Sequence, residues 1–526
     1  MSQIDVLIIG AGPTGLVLAL WLHKQGIKVR IVDQADGPAK NSRALAVHAR
    51  ILELYRQLNL ADELEANGYP VLATNIWVEG RHRARIGLSE FAQELTPYPY
   101  ILMLSQDDHE RILENKLRSF GITVERNTEF LRYLDRESGI TATFFQKDNG
   151  NEISCDASYI VGCDGAYSAV RRGIGAKYEG DTYIPLFYIA DLEATDEDSP
   201  LFNGEGHLRI MDDKFTLILP FSDSRRVRVV GTITPNGDQK VDMSSPHPDV
   251  SFEDVLPDIR TALGISIKKL NWFSTYRSHH RVADKYRNNR AFLVGDAAHI
   301  HSPVGGQGMN TGIMDAINLA WKLATVIKNP EMNESCKKSL LDSYETERRS
   351  FALDVVGATD HGFTVLSGKG FFSRLLRNWI IPYLVPILTK FDFARNQIFR
   401  RGSQLVCNYR GSPLSQNIEN SGSEKIQPGD RLPWAKTELS DNYSTIHHIS
   451  WSLHVYGAKR PELVKWCNGN SLQLAVFEWD PQYDKVGYKQ DAVYLLRPDH
   501  YIAAIFEGES VETSLEEYFS SHGLAY

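Results

Sequence analysis

Three short apolar runs, Val6 to Ile9, Tyr159 to Val161 and Ala291 to Val294, each end at a glycine-bearing loop. Unbroken runs of this length read as strands buried on both faces, as in a parallel sheet. After the first run, Leu16 to Lys24 reads as a helix and Lys28 to Val32 as a second strand that stops at Asp33. After the third, Ile313, Ala316, Ile317, Ala320 and Leu323 recur at helical spacing, which predicts a helix from Met309 onward. Val47 to Leu58 and His109 to Phe120 read as further helices, the second opened by Ser105-Gln106-Asp107-Asp108. Between the second and third runs the period falls to two, at His207 to Met211, Phe215 to Leu219 and Val227 to Ile233. That alternation predicts an antiparallel sheet turning at Asp212-Asp213 and Ser222-Asp223. A charged helix near Asp342 to Asp354 is followed by an aromatic and leucine-rich stretch, Phe371 to Arg400, and by the polar linker Ser415 to Lys425. The remainder, from Pro428, has strand-like runs at Ser471 to Phe477, Val493 to Leu496 and Ile502 to Phe506.

A chain of 526 residues with 42% hydrophobic and 23% charged residues is expected to form about three ordinary globular domains. The net charge of −9 argues against nucleic acid or an anionic membrane as the main partner. Cys155, Cys163, Cys336, Cys407 and Cys467 form no CxxC and no zinc spacing, which fits a reducing compartment. The N-terminus reads directly as a strand rather than a signal peptide, and the most apolar later tract, Trp379 to Leu388, is too short to span a bilayer. A cytoplasmic location with no integral membrane segment is the expectation.

The loops carry the chemistry. Gly10-Ala11-Gly12-Pro13-Thr14-Gly15 is a GxGxxG between strand and helix, and Asp33 lies 23 residues after Gly10. In that setting the glycines give the tight turn, room for a pyrophosphate and close helix–strand contact, and the acid takes ribose hydroxyls. The third loop runs from Gly295 to about Asn310, longer than the roughly 2–6 residues a plain βα connection needs. Asp296 can accept hydrogen bonds from ligand hydroxyls, while Gly305, Gly306 and Gly308 let a flat ring lie against the backbone. Arg43, just after the second strand, is placed for a phosphate contact. Gln106 divides evenly between an exposed helix-start residue and a cofactor contact. Arg209, His207 and Arg228 on the alternating sheet read first as solvated face residues, with a place in a pocket as the alternative and no catalytic role expected. His299 and His301 lack a third ligand of usable spacing, so no metal is expected.

GAGPTG at 10–15, CDGAYSAVRR at 163–172 and GDAAHIHSPVGGQGMN at 295–310 resemble the three fingerprints of single-component FAD-dependent aromatic hydroxylases, over Ile4 to about Ser415. The resemblance implies an α/β fold: a Rossmann-like FAD-binding domain with an inserted antiparallel β-sheet substrate domain. By it, Gly10, Gly12, Gly15 and Asp33 hold the ADP half of FAD, and Arg43 and Gln106 contact the flavin or pyrophosphate. Asp164 belongs to a motif shared by FAD and NAD(P)H, Asp296 binds the ribityl chain, and Pro303, Gly308, Met309 and Asn310 border the isoalloxazine. Pro303 and Arg43 are the residues placed nearest the reaction. PGDRLPW at 428–434 and YLLRPDHYIAAIF at 494–506 resemble the thioredoxin-like tail of several such hydroxylases; Cys467, its only cysteine, leaves packing or homodimerisation as the tail's role.

The implied domains are 1–175 with 282–370 for FAD, 176–281 for substrate, 371–415 as a helical connection and 426–526 as the tail. The implied activity is hydroxylation of a phenolic or polyketide-like small molecule with NADPH or NADH and O₂ through a flavin C4a-hydroperoxide. Baeyer–Villiger oxidation or epoxidation on the same fold, and a non-catalytic binding protein, stand as alternatives.

Overall fold

The computed structural model describes residues 4–39, 44–194, 204–211, 214–221, 226–233, 250–264, 267–302, 305–367, 381–388, 390–416, 425–438, 440–508 and 510–525. Among these residues no helix is long and apolar enough to cross a membrane.

Strand β1 (Ile4–Ile9) lies inside a seven-stranded sheet and pairs in parallel with β2 (Val29–Val32) and β10 (Asn151–Gly162). On the far side of β10, β17 (Ala291–Leu293) is again parallel. Antiparallel β8 (Thr128–Arg136), β9 (Gly139–Gln146) and β16 (Arg287–Asn288) complete the sheet. The register aligns Ile9 with Gly162 and Gly162 with Leu293, so three parallel strands end level with one another. All three glycine-bearing loops therefore leave one edge, the crevice where open parallel sheets take ligands.

Helix α1 (Pro13–Lys24), which joins β1 to β2, is buried from Leu16 to Leu22. Further helices follow: α2 (Ala49–Tyr55), α3 (Ala61–Asn67), α4 (Ser89–Ala92), α5 (Gln106–Ser119), α6 (Ala169–Gly173) and α7 (Phe252–Leu263). The two long helices are α8 (Gln307–Lys328) and α9 (Glu334–Ser367). Helix α8 begins at Gln307, ahead of the apolar periodicity, because Gly306 caps it in the left-handed conformation, φ 63°. The periodicity shows only from Ile313 because the first turn, Gln307 to Asn310, carries Met309 as its one apolar side chain.

The second large sheet is of mixed, mainly antiparallel pairing. Its eight strands run in the order β18 (His299–Ile300), β15 (Ile267–Ala283), β11 (Tyr178–Ala194), β14 (Arg226–Ile233), β13 (Lys214–Pro220), β12 (Gly206–Met211), β5 (Ala73–Val78) and β6 (Arg81–Gly87). It reaches beyond residues 176–281 at both edges, with the hairpin of β5 and β6 at one and β18 at the other. The turns expected at 212–213 and 222–223 lie outside the described residues. A small sheet of β3 (Ala46–Val47), β7 (Ile101–Met103) and β4 (Tyr69–Val71) packs against one end of the eight-stranded sheet: Leu45 and Met103 meet Phe221, beyond the end of β13.

The tail has β19 (Ser452–Tyr456) and β20 (Gln473–Phe477) in parallel, joined by helix Pro461–Gly469, with antiparallel β21 (Val493–Leu496) and β22 (Ile502–Phe506) on the other side of β19. The order β20-β19-β21-β22, closed by helix Val511–Ser521, is the thioredoxin arrangement. Cys467 is buried, and burial pushes its thiol up to about 11, away from a reactive thiolate.

Burial also keeps several imidazoles neutral. His48 and His301 are lowered to about 4, and His109 and His454 to about 3, in each case by desolvation. An unfolded histidine takes up its proton near pH 6.5, so between that value and the depressed folded values the unfolded chain binds more protons. This stability is fully present above about pH 6.5 and is lost as pH falls, at about 1.4 kcal/mol per pH unit for each group. Thermal melts at constant ionic strength are expected to show a continuous fall in Tm from pH 7 to pH 5; a flat Tm over that range would contradict the assignment of neutral buried histidines.

Candidate active site

The first loop turns at Gly10, φ 102°, where a Cβ would stand 2.3 Å from the carbonyl oxygen of Cys163. The turn thus lies directly against the end of β10. At Gly15 a Cβ would stand 2.0 Å from the oxygen of Gly10, whereas at Gly12 nothing lies within 4 Å. The outer two glycines are fixed by protein packing. The middle one opens onto space at the N-terminus of α1, whose first backbone N–H groups have no intrahelical partners. Asp33 draws this loop to the end of β2: its carboxylate accepts from Ala11 N at 2.6 Å and from Ala35 N at 2.8 Å. Each oxygen keeps a second lone pair for a ligand hydroxyl.

At the end of β10, Asp164 accepts from Ala169 N (2.7 Å) and Val170 N (3.2 Å) and so caps α6. Its Oδ1 is buried without a hydrogen bond, and burial raises its carboxyl above the usual carboxylate range. Arg171, from the same motif, reaches the third loop. It donates to the Ala297 carbonyl at 2.9 Å and lies 3.8 Å over the ring of Tyr178, whose hydroxyl donates to the Asp296 carbonyl at 2.9 Å. The second and third motifs are thereby locked together.

Gly295–Ala297 forms a single 3₁₀ turn that leaves the Asp296 side chain exposed over the crevice edge. Behind it, Asp315 of α8 is fully buried and accepts from Gly295 N (3.1 Å), His299 Nε2 (2.6 Å) and Arg348 Nε (2.6 Å). Burial would raise this carboxyl, but His299 and Arg348 overcome it and hold Asp315 below the usual range. Asp315 is the partner that accounts for His299. Arg348 continues to the Thr311 carbonyl (3.2 Å) and the Tyr409 hydroxyl (3.0 Å), clamping the start of α8 to α9. The one signal of Asp315 in the sequence is a polar stripe of Asp315, Asn318 and Lys322 at helical spacing among the apolar residues Ile313 to Leu323.

Asn310 is fully buried. Its Oδ1 accepts from His48 N (2.9 Å), and its Nδ2 donates to the carbonyls of Ala46 (2.9 Å) and Gly306 (2.8 Å). Its side chain fastens α8 to β3, leaving the helix N-terminus itself to face a ligand. Gly308 and Met309 stand in that first turn, where free N–H groups and the positive end of a 22-residue helix favour an electron-rich edge. Gln106 opens α5, and its Nε2 donates to Glu110 at 2.8 Å. Arg43 and Pro303 lie outside the described residues.

Of the three sheet candidates, Arg228 alone is on the face toward the small sheet. The register places Asp191, Arg228 and Leu219 side by side, and next to them Ile189, Val230, Leu217 and Leu208. Arg228 forks onto Asp191 (2.7 and 2.8 Å) and donates to the Ala44 carbonyl (3.3 Å). Val230, Leu217 and Leu208 are only half-buried, giving an apolar roof with exposed area to spare. His207 and Arg209 belong to the opposite face with Ile218 and α7. There Trp77 donates to His207 at 3.3 Å and carries the Arg209 guanidinium 4.8 Å over its ring.

A crevice with an unobstructed glycine, two helix N-termini, a ribose-competent acid and an apolar roof fits a dinucleotide carrying a flat ring. Residues 3–359 match the family model described as an FAD binding domain. The chain is 33% identical over 446 residues (83% of this chain, 75% of the relative) to 6-methylpretetramide 4-monooxygenase from Streptomyces rimosus. It is 32% identical over 486 residues (85% and 95%) to a rifampicin monooxygenase from Rhodococcus hoagii. Among solved structures, the anhydrotetracycline hydroxylase OxyS from Streptomyces rimosus superposes with a TM-score of 0.76 at 25% identity, covering 100% of both chains. This chain belongs to the FAD-binding family that contains these enzymes, and it is an FAD-dependent monooxygenase of the aromatic hydroxylase class.

Asp315→Ala is expected to leave Arg348 and His299 without their carboxylate and to destabilise the fold by about 3–5 kcal/mol. Urea unfolding of the two proteins with FAD saturating checks this, and a difference below about 1 kcal/mol would reduce Asp315 to a dispensable contact.

Proposed function

We propose that the chain hydroxylates an electron-rich aromatic small molecule of phenolic or polyketide type, with NADPH or NADH and O₂ as cosubstrates. The observation that carries this reading is the half-buried apolar face of Leu208, Leu217 and Val230, set toward the domain whose three loops fit FAD. A flat, largely apolar substrate suits such a roof, and the relatives named above act, by their names, on 6-methylpretetramide, rifampicin and anhydrotetracycline.

FAD, when bound, would supply the redox chemistry that couples NAD(P)H to transfer of oxygen from O₂ to the substrate. The chain's own residues do the rest. Gly12 leaves room for the pyrophosphate at the N-terminus of α1, Gly10 and Gly15 set the turn that presents it, and Asp33 takes the adenosine ribose. Asp164 and Asp296 face the middle of the cofactor, Asp296 with its exposed carboxylate toward the ribityl hydroxyls. The first turn of α8, Gly308 to Asn310, stabilises negative charge on the reduced ring with its N–H groups. Gln106, at the start of α5, completes the set, and the family resemblance adds Arg43 as a contact of the flavin or its pyrophosphate and Pro303 as a residue bordering the ring. The apolar roof excludes water, which keeps the activated oxygen for the substrate instead of losing it as peroxide.

The protein is expected to purify yellow with one non-covalent FAD per chain, and aromatic compounds of this class are expected to stimulate NADPH oxidation with an oxygen added at a ring carbon, read by NMR of the product. A colourless protein that takes up no FAD on reconstitution would overturn the reading. Asp296→Ala removes a charged acceptor from ligand hydroxyls and is expected to weaken FAD binding by roughly ten- to a hundred-fold, about 1.5–3 kcal/mol. Unchanged affinity in a fluorescence titration would make Asp296 a turn residue only.

A further inference from the structure

His48 stands between β3 and α2, fully buried; its imidazole lies against the backbone of Gly305, and neither ring nitrogen makes a hydrogen bond of normal geometry. Its backbone is not free to move away, because its N–H donates to the Asn310 side chain at 2.9 Å. Its Nε2 is directed at the glycine loop: a Cβ built on Gly306 would stand 3.8 Å from it, and 3.0 Å from the Cβ of Ala46. Gly306 is the cap of α8, so the imidazole and the free N–H groups of the helix's first turn converge on the same place. A buried polar atom without a partner costs about 1–3 kcal/mol, and native structures keep few of them. A cost of that size at the mouth of a cofactor cradle points to a partner that arrives with the cofactor.

We propose that His48 is a cofactor-positioning residue, whose imidazole hydrogen-bonds the polar edge of the flavin ring lying against residues 305–310. The inference rests on the FAD reading above and deepens it. The chemistry is complementary. A neutral imidazole offers one N–H donor and one lone-pair acceptor, and the pyrimidine edge of an isoalloxazine is a cyclic imide that alternates carbonyl acceptors with an N–H donor. Burial holds His48 neutral, its value lowered to about 4, so both roles are available at ordinary pH. Unlike a glycine or a helix end, which accept any flat anionic edge, the imidazole fixes which way the ring faces.

The test is a pair of variants, His48→Leu and His48→Gln, made alongside wild type and read as apoprotein melting and FAD affinity. Leucine removes the unpartnered nitrogens, so the apoprotein is expected to melt at the wild-type temperature or higher while FAD affinity falls ten-fold or more. Glutamine keeps a donor and an acceptor and is expected to recover at least half of that loss on a logarithmic scale. A purely structural histidine gives the opposite pattern, a less stable His48→Leu apoprotein with wild-type FAD affinity, and this result overturns the proposal. So does a glutamine variant that binds FAD no better than the leucine variant. Should the leucine variant fail to fold, the visible flavin band of loaded His48→Gln decides: a shift from wild type is expected, and an unchanged band overturns the proposal. Wild-type apoprotein that takes up no FAD would instead remove the cofactor reading, and His48's role with it.

Discussion

The cofactor crevice is held open by charges that have no water around them. Asp315 and Glu347, both fully buried, stand on the facing helices α8 and α9. Asp315 gathers Gly295, His299 and Arg348, while Glu347 gathers Lys322 (2.8 Å) and both arms of Arg497 (2.8 and 3.0 Å). Arg497 comes from the tail, where it also holds Asp499 at 2.7 Å, and Asp499 accepts from Trp321 of α8 at 3.2 Å. Removing both partners of such a pair in favour of well-packed apolar residues is often harmless, but removing one partner strands the other at about 3–5 kcal/mol. The cluster therefore works less as a source of stability than as a fixed arrangement of α8, α9 and the tail.

The same logic extends to a second seam. Arg50 donates to Glu53 at 3.0 Å and to the Asp499 carbonyl at 2.8 Å, and Glu53 accepts from Arg431 at 2.9 Å. Arg50 and Glu53 belong to α2, which begins one residue beyond His48, so the tail grips the segment that carries His48 as well as helix α8. A thioredoxin-like tail without a reactive thiol thus has a mechanical place in the molecule, bracing the cradle from behind.

What the sequence made legible was local. The second and third strand-end motifs carry strand, glycines and acid in one short stretch, the first finds its acid at Asp33, 23 residues after Gly10, and the structure brings Gly10, Asp164 and Gly295 to one sheet edge. The tail's β21 and β22 were likewise readable as compact apolar runs. What escaped depends on partners far along the chain. Asp315 draws its meaning from Arg348 and Gly295, Glu347 from Arg497, and Asn310 from residues 46 and 48. The hairpin of β5 and β6 was missed because Arg81-His82-Arg83-Ala84-Arg85 reads as a polar stretch, although its inward Ala84 and Ile86 are buried. The start of α8 was placed late because a helix that opens on a left-handed glycine and three polar or small residues shows no apolar stripe. His207 and Arg209 were separated from Arg228 only by strand register, which a one-residue slip would reverse.

If the buried ion cluster makes the tail and the cofactor helix one cooperative unit, the tail must respond to a ligand it does not touch. Native-state hydrogen exchange on the amides of β21, Arg497 to Tyr501 and β22, with and without saturating FAD, measures this most directly. One unit predicts that FAD slows exchange there by about the same factor as in α8, since both open together. Protection that rises in α8 and stays unchanged across the tail would show that the cluster merely joins two independent bodies.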